Sequence, residues 1–322
     1  MTEAAQFWRH LLDPQLDDVL AHLPVVDFEN YEAFRATSDS VGAARAAEVD
    51  PGAVTFEDRG VRACGRVAQI RLYRPAGVGV PVPAIVHIHG GGFVSGSPEA
   101  SHARSVEFAR ELGAVVVAVR YRRAPEAAYP APLDDCETAL RWLVGAADDL
   151  GVDPERIALH GVSAGGALAA GLAIRVRGDQ DVRIRFQFLC VPMTDDRQQS
   201  ASMLRFDDTP IWTRTVGEVS WRHYLGGLVP GSSDVPIEAA PGRASVEDLR
   251  GLPPAYVAVM EVDPLCDEGL AYAALLAEAG VAVESHRFPG MFHAAYTAVP
   301  TATVSQRYLA EELAVLAQAL GV

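Results

Sequence analysis

The sequence predicts an α/β fold with a mostly parallel central sheet and helices on both of its faces. Short apolar runs such as AIVHI and AVVVAV are typical of strands buried on both sides. Amphipathic stretches with helical period separate these runs, and the two types alternate along most of the 322 residues. An apolar content of 49% indicates a globular chain with a large core.

The individual elements follow from local patterns. The chain up to about residue 46 is predicted to be helical and amphipathic, with a break at Pro24. Strands are predicted at VAQIRLYRP, AIVHIHG, AVVVAVRY, RIALH, RFQFLC, PAYVAVME and VAVESHRF. Helices are predicted at HARSVEFARELG, PLDDCETALRWLVGAADDLG, GALAAGLAIRVRG, DEGLAYAALLAEAG and residues 305–320. The repeated return from helix to strand indicates a parallel sheet.

One segment, from about residue 195 to residue 236, interrupts this alternation. It lacks strand alternation and the long helix of the core units. Among polar and glycine residues it carries Met203, Phe206, Ile211, Trp212, Trp221 and Tyr224. The segment is interpreted either as a lid or as a surface excursion that its aromatic residues anchor to the core.

A serine flanked by glycines lies in Gly161–Gly166, directly after the predicted strand RIALH. The spacing Gly-x-Ser-x-Gly is typical of a nucleophile at a sharp turn from strand to helix, because only small neighbours permit such close packing. Serine and glycine are also common in ordinary turns. Taken alone, the motif therefore leaves both interpretations of Ser163 open.

A serine hydroxyl is a poor nucleophile until a neutral histidine accepts its proton and a carboxylate orients that histidine. Asp263 and His293 each follow a late predicted strand, in the chain order serine, acid, histidine. Singly, they could be a turn aspartate and an exposed loop histidine. Together they predict Ser163 as nucleophile, His293 as general base and Asp263 as orienting acid, with Glu261 and Asp267 flanking that acid.

The run His89–Phe93, read HGGGF, follows the predicted strand AIVHI. A tetrahedral intermediate needs backbone N–H donors, and glycine lets the main chain approach a substrate closely. The amide of Ala164, next to the nucleophile, is predicted as a second donor. His89 is interpreted as a residue that organises this loop.

These motifs resemble the hormone-sensitive-lipase-like (bacterial family IV) esterases of the α/β-hydrolase fold. The resemblance rests on HGGGFVSGS, VAVRYRRAPEAAYPAPLDD, GVSAGGALAA, EVDPLCDEGLAYAALLAEAGVAVE and FPGMFHAAY, which occur in the order typical of the family. It covers the chain from about residue 83 to the C-terminus. It implies Ser163, His293 and Asp263 as the catalytic residues, and the amides of Gly91, Gly92 and Ala164 as the oxyanion hole.

The resemblance also implies an organisation and an activity. A mainly helical cap is expected from residues 1–50 and 195–236, on a core formed by residues 51–194 and 237–322. The expected activity is hydrolysis of short-to-medium acyl esters through an acyl-enzyme, with no metal and no organic cofactor. A homodimer is implied through an edge strand near residues 281–288.

Three features depart from the family pattern, one of which is Val162 before the serine, where the commonest residues are aspartate and threonine. His293 is followed by Ala294–Tyr296 where the family usually has Gly-Phe, and Arg123 replaces a common leucine. The triad is equally suited to lactones, amides or acetylated natural products. A hydrolase-fold receptor without catalysis is the remaining alternative, although receptors that resemble this family lack its full triad.

Composition limits the partners and the cellular location. A formal charge of −15 argues against general affinity for nucleic acid or anionic membranes, so a small-molecule ester is the expected partner. The cysteines are scattered without metal-ligand spacing and are interpreted as ordinary thiols: Cys64, Cys136, Cys190 and Cys266. The N-terminus has no signal-peptide pattern and no run could span a bilayer, which predicts a cytoplasmic location without stable membrane association.

Overall fold

A computed structural model describes residues 3–79 and 81–322 of the chain. The strands are β1 (Thr55–Ala63), β2 (Arg66–Arg74), β3 (Val82–Ile88), β4 (Val115–Arg120), β5 (Val152–Val162), β6 (Phe186–Cys190), β7 (Ala255–Val262) and β8 (Val283–Phe292). They form one sheet in the order β1-β2-β4-β3-β5-β6-β7-β8. The pairs β1–β2 and β2–β4 are antiparallel and the others are parallel, which confirms the predicted mostly parallel sheet.

Helices cover both faces of this sheet. They are α1 (Tyr31–Ala47), α2 (His102–Glu111), α3 (Ala131–Gly145), α4 (Ala147–Leu150), α5 (Ala164–Arg175), α6 (Ala201–Arg205), α7 (Arg214–Leu225), α8 (Val246–Leu249), α9 (Cys266–Glu278), α10 (Ala295–Ala298) and α11 (Thr303–Leu320). Helices α3, α5 and α9 contribute to the hydrophobic core on one face, and α2 and α11 to the core on the other. All seven residues of β3 are buried, as expected for a central strand between two such layers.

The strand β1 was not predicted, and its burial explains why. Of its nine residues only Val61 is fully buried, so the edge strand has no apolar alternation to detect. Its place in the sheet comes from antiparallel pairing with β2.

The prediction of helical structure up to about residue 46 is confirmed for α1, but the part before Pro24 forms 3₁₀ segments rather than an α-helix. Before α1, the chain forms short 3₁₀ segments at Glu3–Leu11, Pro14–Leu16 and Leu20–His22. Trp8, Leu12 and Leu16 are buried there, so the apolar spacing reflects tertiary contacts rather than one continuous helix. The prolines at positions 14 and 24 also interrupt helical hydrogen bonding.

The segment 195–236 contains a longer helix than its sequence predicted. Helix α7 has 12 residues, as many as α5, and begins at an N-cap where the Thr213 side chain accepts from the Val216 N–H at 3.2 Å. The N-terminal residues contact this segment: Trp8 Nε1 donates to Asp208 Oδ1 at 2.8 Å, and the Phe28 and Trp212 ring centroids lie 6.5 Å apart. The division into cap and core stays a prediction.

Within residues 3–79 and 81–322, no helix combines the length and the apolar character that crossing a membrane requires.

Candidate active site

The turn from β5 to α5 places Ser163 at the carboxyl edge of the sheet. Ser163 has φ +57° and ψ −118°, a backbone conformation that non-glycine residues rarely adopt. Its N–H donates to the Cys190 carbonyl at 2.8 Å, and its own carbonyl accepts from the amides of Gly166 at 2.8 Å and Met193 at 3.1 Å. Main-chain hydrogen bonds on both sides therefore hold the strained serine in position.

The flanking glycines permit this turn sterically. A Cβ atom on Gly165 would overlap the carbonyl of Ile88 in β3, and one on Gly161 would overlap the carbonyl of Gly165. The helix α5 thus approaches the sheet more closely than any side chain allows. This contact is the physical reason for glycine at these two positions of the motif.

Ser163, His293 and Asp263 form one hydrogen-bonded chain. His293 Nε2 lies 3.1 Å from Ser163 Oγ, and His293 Nδ1 lies 2.7 Å from Asp263 Oδ2. A carboxylate can only accept, so the histidine proton is on Nδ1 and Nε2 is free to accept the serine proton. The exposed fractions are 3% for Ser163, 0% for Asp263 and 4% for His293, so the three hydrogen-bonded side chains are shielded from bulk water.

The two acidic neighbours of Asp263 serve other contacts. Glu261 accepts from the Gly290 N–H at 2.9 Å, and Asp267 accepts from the Ser202 N–H at 2.8 Å. Asp263 itself is fixed further because its Oδ1 accepts from the Leu265 N–H at 2.9 Å. The structure thus brings Asp263, and neither neighbour, to His293.

The loop His89–Phe93 has every one of its carbonyls hydrogen-bonded. Tyr121 Oη donates to the His89 carbonyl (3.1 Å), and His89 Nδ1 donates to the Gly90 carbonyl (2.8 Å). The Gly91 carbonyl accepts from the amides of Val94 (3.0 Å) and Ser95 (2.8 Å). Ser220 Oγ donates to the Gly92 carbonyl (2.5 Å), and the Ala124 amide donates to the Phe93 carbonyl (2.9 Å). By contrast, the amides of Gly91, Gly92 and Ala164 donate to no group in the described part of the chain. Free N–H groups beside fixed carbonyls are what an oxyanion hole requires.

His89 directs the first of these amides. A trans peptide is planar, so its C=O and the next N–H point in opposite directions, and holding the Gly90 carbonyl fixes the Gly91 N–H. Burial lowers the pKa of His89 to about 4, so the ring is neutral near neutral pH and Nδ1–H is the donor. The ring also stacks on Tyr121 with centroids 4.2 Å apart. These contacts agree with the interpretation of His89 as a loop organiser.

The structure shows the surroundings of Arg123 and the backbone conformation of Ala294, two of the residues that depart from the family pattern. Arg123 pairs with Asp39 at 2.8 Å and donates to the Gly96 carbonyl at 3.2 Å, so its charge links α1 to the loop after β3. Ala294 has φ +54°, in the left-handed region that favours glycine. A glycine after His293 would suit this conformation better, and alanine adopts it here at some cost.

A cavity of about 530 Å³ opens beside the triad. Its wall includes Ser163, His293 and Gly91 from the core, and Phe28 and Trp212 from the segments 1–50 and 195–236. A larger cleft of about 890 Å³ lies at the other end of the sheet and contains no triad residue. We assign the smaller cavity to the site because chemistry, rather than volume, identifies it.

A buried charged cluster lies behind the turn from β5 to α5. His160 in β5 bonds through Nε2 to Glu312 Oε1 at 2.8 Å, and Glu312 also pairs with Arg104. Burial alone would raise the pKa of Glu312, but Arg104 and His160 lower it to about 2. The ionised carboxylate therefore connects β5 to α2 and α11 just before the turn.

Sequence reasoning missed several residues that support the site. The Trp212 ring lies 5.4 Å from the His293 ring, and Ser220 and Phe28 contact the loop at Gly92. Glu268 accepts from the Thr194 amide at 2.7 Å and so ties the loop after β6 to α9. Burial raises the pKa of Glu268 well above its usual range. No local pattern marks these residues, because their partners are distant in the chain.

Comparison with known proteins agrees with this fold. Residues 85–297 match a family described as having the alpha/beta hydrolase fold. The carboxylesterase NlhH of Mycobacterium tuberculosis is 40% identical over 225 residues, 70% of this chain and 70% of that protein. A bacterial heroin esterase has a TM-score of 0.93 and 44% identity over 97% of this chain and 99% of its own. Esterase LipW from Mycobacterium marinum has a TM-score of 0.87 and 37% identity, covering 99% of both chains.

Proposed function

The chain belongs to the hormone-sensitive-lipase-like (family IV) branch of the α/β hydrolases and is a carboxylesterase, and we propose that it cleaves short-to-medium acyl esters with Ser163, His293 and Asp263. The observation that carries this proposal is the hydrogen-bonded chain of 3.1 and 2.7 Å through the two nitrogens of His293. In such a chain the histidine is held in the tautomer that accepts the serine proton.

The proposed reaction has two half-reactions. Ser163 Oγ attacks the ester carbonyl carbon while His293 Nε2 accepts the hydroxyl proton, and the carbonyl electron pair moves onto oxygen. The amides of Gly91, Gly92 and Ala164 bind this oxyanion. Its collapse expels the alkoxide, which takes the proton from His293, and water then repeats the sequence on the acyl-enzyme.

The cavity supports substrates of limited size. Its volume of about 530 Å³ lies within the range of small-molecule pockets and must hold both the acyl and the alcohol parts of an ester. Its walls include the large rings of Phe28, Phe34 and Trp212, which suit apolar groups. An acyl chain of palmitate length would compete for this space with the alcohol.

The test is hydrolysis of p-nitrophenyl esters from acetate to palmitate by the native protein, by Ser163→Ala and by the control Ser305→Ala. Ser305 is also buried, but it lies in α11 and its hydroxyl forms no hydrogen bond with a triad residue or any other described group. We expect fastest cleavage of the shorter chains, a loss of roughly 10⁴-fold or more in Ser163→Ala, and native rates in the control. Equal activity of Ser163→Ala and native protein would overturn the proposed nucleophile, and fastest cleavage of palmitate would overturn the chain-length preference.

A further inference from the structure

Helix α7, in the segment 195–236, makes a direct hydrogen bond to the loop His89–Phe93, the proposed oxyanion loop. Ser220 Oγ donates to the Gly92 carbonyl at 2.5 Å, and Ser220 is fully buried. The same helix places Tyr224 on the neighbouring Phe93, with the two rings stacked and their centroids 3.7 Å apart. The loop that follows β3 is therefore covered by a segment more than 100 residues away in sequence.

The Gly92 carbonyl differs from its neighbours in the origin of its partner. Within the described residues, the other four carbonyls of His89–Phe93 accept from groups between residues 89 and 124. The Gly92 carbonyl accepts from Ser220. Of the hydrogen bonds to these five carbonyls, only the one to Gly92 thus comes from α7 among the described residues, and the others come from the core.

Peptide geometry connects this bond to the predicted oxyanion hole. The Gly91 carbonyl, held by the amides of Val94 and Ser95, fixes the peptide plane on one side of the Gly92 Cα. Ser220 fixes the plane on the other side. Gly92 has φ +59° and no side chain, so without both anchors its two peptides rotate readily.

Packing reinforces the same point. A Cβ atom on Gly92 would overlap both Ser220 Oγ and the ring of Phe28. The Phe28 carbonyl in turn accepts from His223 Nε2 of α7 at 3.0 Å. The N-terminal segment and α7 therefore meet directly over Gly92.

We propose that Ser220 is a positioning residue, whose hydrogen bond to Gly92 makes a functional oxyanion hole depend on the docking of α7. The proposal rests on the proposed esterase function, because it assigns Ser220 a role in stabilising that oxyanion. The Gly92 amide belongs to the peptide held through the Gly91 carbonyl, so Ser220 acts on it from the other side of the Gly92 Cα. When α7 is docked, both peptides that meet at this glycine are fixed and the amide stays free. When the bond is absent, the Gly92–Phe93 peptide can rotate, the loop loses one of its two anchors at Gly92, and the amide is directed less precisely at the oxyanion.

The test compares native protein, Ser220→Ala and Ser220→Thr, which keeps the hydroxyl. We expect kcat/KM to fall roughly 10- to 100-fold in Ser220→Ala through kcat, with KM little changed, and to recover largely in Ser220→Thr. Ser305→Ala is the matched control, since Ser305 Oγ is buried and has no partner among the described residues.

A second readout separates positioning from a merely structural role. An alkyl trifluoromethyl ketone adds Ser163 Oγ to its carbonyl carbon; the carbonyl electron pair moves onto oxygen and the serine proton passes to His293. The resulting oxyanion occupies the proposed hole. We expect the inhibition constant of the ketone to rise in Ser220→Ala by the same factor by which kcat/KM falls, because both quantities report the oxyanion contact.

The outcomes distinguish the two proposals. If the native protein neither cleaves esters nor binds the ketone, the proposed function fails. If the native protein does both, and Ser220→Ala matches it in kcat and in ketone affinity, the role of Ser220 fails. Should Ser220→Ala not fold, the comparison is made between Ser220→Thr and Ser220→Val, whose side chains have the same shape but differ in the hydroxyl. Equal kcat and equal ketone affinity in these two variants would overturn the proposal.

Discussion

The turn at Gly161–Gly166, which carries the proposed nucleophile, lies beside the loop His89–Phe93, the proposed oxyanion loop. The two are held by different kinds of contact. Ser163 is fixed by main-chain hydrogen bonds to Cys190 and Met193 and by close approach of glycine backbones. In the loop, the side chains of His89, Tyr121 and Ser220 each donate a hydrogen bond to a main-chain carbonyl.

This difference predicts how each region responds to mutation. Main-chain hydrogen bonds survive a change of side chain, so the turn is disrupted mainly by adding atoms where there is no space. Side-chain hydrogen bonds can be removed one at a time, so the loop loses order in steps. We therefore expect abrupt effects in the turn and graded effects in the loop.

The largest effect on activity is expected from Asp263, which orients His293, the proposed acceptor of the Ser163 proton. Asp263→Asn replaces an acceptor of the His293 Nδ1–H by an amide that can donate, which favours the wrong histidine tautomer. We expect kcat to fall about 10⁴-fold with little change in the thermal midpoint. Steady-state kinetics with p-nitrophenyl acetate and a thermal melt measure both, and a loss below tenfold would contradict the role of Asp263.

A large effect on stability is expected from the turn itself. In Gly165→Ala the new Cβ overlaps the Ile88 carbonyl, so α5 must move away from β3. We expect the free energy of unfolding to fall by about 2 kcal/mol or more, measured by urea denaturation. The control Gly145→Ala, where a Cβ has open space, should change it by less than about 1 kcal/mol. Equal effects of the two variants would remove the steric account of the motif.

A smaller, graded effect is expected in the loop. His89→Phe keeps a ring that can stack on Tyr121 but removes the donor to the Gly90 carbonyl. We expect kcat/KM to fall roughly tenfold, with a matching loss of trifluoromethyl ketone affinity. A protein that loses thermal stability but keeps native kcat and ketone affinity would show that His89 has no influence on the amide of Gly91.

The smallest effect concerns acid stability behind the turn. The pKa of Glu312 in the folded protein is about 2, below the usual 4.5, so its contribution is complete above about pH 4.5 and is lost as the pH falls towards 2. We expect the native protein to lose at least about 1 kcal/mol more than Glu312→Gln between about pH 5 and pH 3. Urea denaturation across this range measures the difference, and the exposed control Glu247→Gln should keep the native slope. Equal slopes for native protein and Glu312→Gln would contradict the assignment.

Several features of the site could be read from the sequence because they depend on local backbone conformation. The Gly-x-Ser-x-Gly spacing predicted the strained turn at Ser163, and short apolar runs located the strands that end at Asp263 and His293. Parallel strands bring their carboxyl ends to one edge, so residues distant in sequence were expected to meet there. The hydrogen-bonded chain through His293 has this arrangement.

Other features were decided by the tertiary structure alone. The strand β1 depends on pairing with β2, Arg123 on the position of Asp39, and Gly92 on α7 through Ser220. None of these contacts produces a periodic or short-range pattern in the sequence. Each joins residues that are distant in the chain, and the local sequence around each of them is compatible with several different partners. Sequence by itself determined the proposed catalytic residues and the turns that carry them. The folded chain decided which distant side chains hold those turns, since only packing selects one set of partners from many.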